Sequence, residues 1–225
     1  MARKVKHGRR PKRKGRSQAS LRRFSGNRLP RASILIACEG AETEPNYFTA
    51  FRRALKLSSV EVEIEGKSSA SAPLRVVEFA IRKRNERKWD AKRSEHLMEY
   101  DEIWCVIDVE NPARNTTFFS AICRAEQENI ELAVSNPAFE YWYLCHYVET
   151  TRVFSDGQDV KRVLRIHIPD YSESKDVFSE LYPATELAVE RAKRIISNHP
   201  GDEAFPNPST FVFKLVERLK KLASN

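Results

Sequence analysis

Glycine is scarce in this chain, seven among 225 residues, and that scarcity removes two functions at once. No G-x-G-x-x-G run exists to cradle a dinucleotide, and no G-x-x-x-x-G-K-[ST] loop exists for P-loop hydrolysis of a nucleotide. Long apolar runs are missing too. None approaches the roughly 20 residues needed to span a bilayer, and no apolar segment at the start resembles a secretory signal, so a cytoplasmic protein is expected. The four cysteines, Cys38, Cys105, Cys123 and Cys145, form no C-x-x-C pair. Three fall in apolar runs or on apolar helix faces, the pattern of reduced, buried thiols rather than of a zinc site. His7, His96, His167 and His199 show no metal-ligand spacing.

Acidic residues are absent from the first 30 positions, where twelve Lys and Arg stand. The formal charge of +8 therefore belongs to a tail, and the remaining residues hold 27 basic side chains against 31 acidic ones. Residues 1–30 have few large apolar groups and no sustained period, so they cannot bury enough surface to offset ordering entropy. A disordered basic tail is expected there, with Arg9, Arg10, Lys12, Arg13, Lys14 and Arg16 as a sequence-blind clamp on nucleic-acid phosphate. A solubilising arm is the plainer alternative.

From residue 31 onward the composition, 41% hydrophobic over the whole chain, supports a single domain over 31–225. Ser33 to Cys38 is a short, nearly unbroken apolar run, as in a strand buried on both faces. Glu39 and Gly40 follow at once, with Gly40 placed to let the backbone turn tightly. A helix then starts, Thr43 or Glu44 capping it, Pro45 in its first turn, and Tyr47, Phe48, Phe51 and Leu55 on its apolar face. Val60 to Glu65 alternates strictly, predicting a half-buried strand near a sheet edge. Residues 73–95 read as a helix whose second half is very basic, either a solvated face or a groove wall for a polyanion.

Glu102 to Glu110 is a second apolar strand ending in carboxylates. A helix over 116–129 and a strand over 130–134 follow. Asn136 and Pro137 then predict a helix start, with Asn136 as cap and Phe139, Trp142, Tyr143, His146 and Tyr147 at helical spacing. These aromatics suit a core better than a base-stacking platform, and His146 suits a core histidine better than a base. Residues 156–200 read as two helices flanking the loop 168–172, in which Tyr171 and, just beyond, Lys175 could touch phosphate or simply lie at the surface. Asn207 to Thr210 is expected to cap a last helix, with Phe211, Leu215, Leu219 and Leu222 inward.

The chemistry gathers in carboxylates. Asp108 and Glu110 alternate along a strand, so both can reach one side of its tip. In α/β folds ligands bind past the carboxyl ends of parallel strands, and Glu39 stands at such a place. Acids brought together repel, and need a proton or a cation to coexist. Mg²⁺ is the natural hard-oxygen partner, and it can stabilise in-line displacement at phosphorus while a carboxylate moves a proton. Glu140, close to a helix start, is either favoured there by the helix dipole or is a fourth acid facing the site.

The run Cys38 to Phe48, the segment Ser135 to Trp142 and the later Asn207 to Thr210 together resemble the signatures of the RloB family of bacterial proteins. The resemblance extends over about residues 31–222. It implies a more distant likeness to Toprim domains, hence an α/β fold with a mostly parallel sheet of about four strands sandwiched by helices and a helical C-terminal part. It also implies roles: Glu39 as general acid/base and metal ligand, Asp108 and Glu110 as metal ligands. Toprim domains have an aspartate where Glu110 stands, and the extra methylene moves that carboxylate about one bond outward. The implied function is a Mg²⁺-dependent nuclease acting in anti-phage defence or abortive infection. The alternatives are a non-catalytic partner of an AAA-type ATPase and a plain nucleic-acid-binding module.

Overall fold

The computed structural model describes residues 32–64, 72–94, 96–109 and 117–224, and of Val62 and Ile64 the backbone alone. The basic tail, Glu110 and Glu65, the last residue of the alternating run, lie outside the described residues. Strands β1 (Ile34–Cys38), β2 (Val60–Ile64), β3 (Glu102–Asp108) and β4 (Glu131–Asn136) run parallel, and β5 (Ser209–Thr210) closes one side antiparallel, in the order β2-β1-β3-β4-β5. The sheet is thus mostly parallel, as expected, with five strands rather than about four. The fifth is two residues long, Ser209 and Thr210 pairing with Asn136 and Ser135, and so short a segment carries no readable period.

The apolar runs of β1 and β3 are buried on both sides because helices cover both faces. Ile34, Ile36, Cys38, Trp104 and Val106 face α1 (Thr43–Ala54), α4 (Glu140–Cys145), α5 (Gly157–His167), α7 (Thr185–Ser197) and α8 (Val212–Ser224). Leu35, Ala37, Ile103, Cys105 and Ile107 face α2 (Pro73–Ala91) and α3 (Phe118–Gln127). Each Ile, Leu and Val among them contributes roughly 1.5–3 kcal/mol by leaving water. A short helix α6 (Phe178–Leu181) and a 3-10 turn (Tyr182–Ala184) lie between α5 and α7, so the 156–200 region holds three α-helices rather than two.

The alternating strand is indeed an edge. Its Glu61 and Glu63 are taken up by α2, through Arg87 at 2.9 Å and Lys83 at 3.4 Å. Arg84 donates to the Glu128 carbonyl at 2.8 Å and pairs with the Glu128 carboxylate, and Arg87 donates to the Met98 carbonyl at 2.7 Å. Much of the basic half of α2 is therefore fastening, tying the helix to β2 and to the end of α3.

Two helix starts differ from expectation. In α1 the capping position is Glu42, without a side-chain cap bond, while Thr43 and Glu44 lie buried inside the first turn. Asn136 does not cap α4. It ends β4, its Nδ2 donates to the Phe205 carbonyl at 2.8 Å, and the helix begins at Glu140 after a cis Asn136–Pro137 bond. The carboxylate of Asp108, from another element, accepts the Phe139 amide at 3.1 Å instead. Asn207 likewise does not cap the last helix; its side-chain amide exchanges bonds with both backbone groups of Phe154 at 3.1 and 2.7 Å. Thr210 accepts the Val212 amide at the head of α8. Among the described residues no helix is long and apolar enough to cross a membrane.

Candidate active site

From β1 the chain crosses to β2 on one side, and the following strand, β3, lies on the other, with the crossover helices on opposite faces. The carboxyl ends of β1 and β3 thus flank a topological switch point, where open α/β sheets form their ligand crevice. Cys38 is level with Val106, so Glu39 and Asp108 emerge at one rim. The Glu39 amide continues the ladder to the Val106 carbonyl at 3.2 Å. Its carboxylate turns across the gap, and Oε2 accepts the Asp108 amide at 3.1 Å.

Alternation along β3 puts Asp108 on the face of α1 and α4, with Trp104 and Val106. Its Oδ2 accepts the Phe139 amide, while its Oδ1 is shielded from solvent with no hydrogen-bond partner among the described residues. An acceptor in that condition costs desolvation energy. Burial pushes the Asp108 carboxyl well above its ordinary range, and the charges of Glu44, Glu39 and Glu140 push it further.

Glu44 is the site residue that a capping reading passes over. It is 5% exposed, and its carboxyl is pushed up to about 7, first by burial and then by the charges of Glu140 and Glu173, against the pull of the Glu44 and Gly40 amides. The signal was present in the pattern. Positions 44, 47, 48 and 51 share one helical face, so an acid stands at the head of a buried aromatic stripe. Gly40 matters through space: a β-carbon there would lie 2.2 Å from Glu44 Oε2. Its backbone is outside the left-handed region, so room for the carboxylate, not a special turn, is what excludes a side chain.

Glu140, 4% exposed, opens α4 and faces the same cluster. Its Oε1 accepts the Tyr171 hydroxyl at 3.0 Å and lies 3.5 Å from Lys161 Nζ, which also pairs with Glu173. Burial raises the Glu140 carboxyl, and Lys161 and Tyr171 pull the other way. Tyr171 is therefore buried at the site rather than at the surface, whereas Lys175 pairs with Asp170. The aromatics at the head and along α4 are core: Phe139, Trp142 and Tyr143 are buried, Trp142 meets Tyr47 of α1 edge-on at 6.4 Å, and Phe139 and Tyr143 meet edge-on at 5.4 Å. His146 is core as well, its Nδ1 2.9 Å from the Trp142 carbonyl and its pKa lowered by burial to about 4. Cys38, Cys105 and Cys145 are buried free thiols, and Cys123 is exposed.

The structure thus gathers Glu39, Asp108 and Glu140 around one rim and adds Glu44. Glu110 and the tail arginines and lysines fall outside the described residues. Among the described residues no three His, Cys, Asp or Glu side chains stand close enough to cage a metal ion by themselves. Mg²⁺ does not require that, since it is held by one or two carboxylates with waters and substrate phosphate completing its shell. A shielded carboxylate oxygen with no partner among the described residues, in a cluster of acids that burial and mutual repulsion disfavour as charges, fits such an ion.

A family model described as RloB-like protein matches residues 34–219. No curated protein and no solved structure matches the chain.

Proposed function

The chain belongs to the RloB-like family, and from that premise and the acid rim we propose that it is a Mg²⁺-dependent nuclease, hydrolysing a nucleic-acid phosphodiester as an effector of phage defence. The observation that carries the chemistry is Asp108 Oδ1, shielded and without a hydrogen-bond partner among the described residues, beside Glu39, Glu44 and Glu140. The defence role rests on what the family resemblance implies.

Asp108 and Glu39, with Glu110 after the same strand, would hold the Mg²⁺, which when bound supplies charge neutralisation for the phosphate oxygens. Glu39 is the general acid/base, its Oε2 already oriented by the Asp108 amide. Glu44, with a carboxyl poised near 7, can store a proton at neutral pH without adding a full charge to the rim. Glu140 is oriented by Tyr171 and Lys161, a fourth acid that closes the cluster on the side of the helical half. The basic tail adds sequence-blind affinity, which would let a body with more acids than bases approach a polyanion.

The test is a cleavage assay on DNA and RNA, single- and double-stranded, with Mg²⁺ or with EDTA, wild type against Glu39→Gln. Cleavage that needs Mg²⁺ and disappears in the variant supports the assignment. Equal activity in both proteins removes it, and inertness alone with co-purification of an ATPase favours a non-catalytic partner.

A further inference from the structure

Between positions 152 and 165 stand four basic residues, Arg152, Lys161, Arg162 and Arg165, against two acids, Asp156 and Asp159, in a body whose balance is otherwise acidic. The arrangement is built around Asp159. Its carboxylate is 5% exposed, yet it binds two guanidinium groups: Arg152 Nη2 donates to Oδ1 and Oδ2 at 2.9 and 2.8 Å, and Arg162 Nη1 donates to Oδ1 at 3.0 Å. One cation suffices to neutralise one carboxylate. The second leaves a net positive charge, and both heads are open to solvent, with side chains 52% and 74% exposed. Each guanidinium carries five N–H donors, and among the described residues neither donates elsewhere. Arg152 is further fixed over the Phe154 ring, 4.9 Å from its centroid. Two forks held in place with unused donors are preorganised for phosphate oxygens, because the rotamer entropy is already spent.

The ridge is next to the acid rim. Lys161, one residue from Arg162 on α5, is the cation beside Glu140. Arg165 Nε donates at 3.3 Å to the carbonyl of Tyr171, whose hydroxyl donates to Glu140. We propose that Arg152, Arg162 and Arg165 form a phosphate-binding ridge, a site for the sugar–phosphate backbone of a nucleic-acid strand entering the rim. Its place in a reaction rests on the nuclease reading, but its affinity for phosphodiester backbone does not.

The experiment measures binding of a fluorescent single-stranded oligonucleotide to the full chain in EDTA, across a salt series. Arg152→Gln/Arg162→Gln is expected to weaken binding about tenfold and to flatten the slope of log affinity against log salt by about 1.4, the counterion release of two single-strand phosphate contacts. Lys88→Gln/Lys92→Gln, at the C-terminal end of α2 beyond the opposite face of the sheet, removes the same charge and is expected to do far less. Where the double variant is unstable, Arg162→Gln alone decides, since Arg152 still neutralises Asp159; it is expected to lose part of the affinity at an unchanged melting temperature. The ridge is overturned by a wild type that does not bind, by ridge variants that bind like wild type, or by α2 variants that lose as much. If ridge variants lose affinity while the wild type cleaves nothing with Mg²⁺, the ridge stands and the nuclease reading falls.

Discussion

The carboxylate of Glu44 occupies the space that a side chain at Gly40 would need, with Oε2 2.2 Å from where a β-carbon would stand. A buried acid and a glycine four positions earlier thus form one unit, the glycine offering both room and an amide to the charge.

Gly40→Ala is expected to fold, because the backbone there is acceptable to alanine and the displaced atoms end a side chain rather than a backbone. Moving Glu44 should lower nucleic-acid cleavage at least about tenfold, since roughly an ångström of misplacement at a site has costs of that order or more. Circular dichroism and the cleavage assay, run on the same preparation, check both halves.

Asp108→Asn should separate chemistry from stability in opposite directions. The amide retains an oxygen for the Phe139 N–H while removing a charge that burial and three neighbouring acids disfavour. Without metal at pH 8 the variant should melt higher than wild type, and its cleavage should fall by about 10² or more. Added Mg²⁺ should raise the wild-type melting temperature by mass action and leave the variant nearly unmoved. A variant that melts lower at pH 8 contradicts the electrostatic picture.

Glu44 predicts a pH slope. Its carboxyl is raised in the fold from 4.5 to about 7, so the folded state binds more protons than the unfolded one between those values. Stability must then fall as pH rises through that window. Thermal melts in EDTA from pH 5 to 8 should show it, and Glu44→Gln should flatten the curve mainly there.

Phe48→Ala tests the aromatic packing under the rim. Phe48 is fully buried, 5.3 Å from the Tyr47 ring and 6.0 Å from that of Phe139. The cost should be about 3–5 kcal/mol, read by denaturant titration.

What was legible in the sequence follows from how strongly each segment is constrained by its own neighbours. β1 and β3 are sandwiched between helix layers, so they had to be apolar throughout and read plainly. β2 alternates because α2 covers it with salt bridges on one side. The start of α4 did not read, because the acceptor that ends its Phe139 amide comes from Asp108, 31 positions away. A cap supplied across the fold leaves no local mark. At the site, Glu39 and Asp108 were placed by strand logic. Glu44 reads locally as a cap, since a polar side chain at a helix start serves the free amides there, and the charges that shift it, Glu140 and Glu173, come from far along the chain.

Asp108 divides its two oxygens between tasks, one anchoring the head of α4, the other turned into the acid cluster. Evolution of this rim is therefore tethered to assembly of the C-terminal half: a change that retunes the reacting carboxylate also loosens the hinge on which Phe139, Glu140 and Trp142 are hung. Substitutions that spare one duty and abolish the other, as asparagine should, are few, and that narrowness limits how far the strand tip can drift while the helical half stays seated.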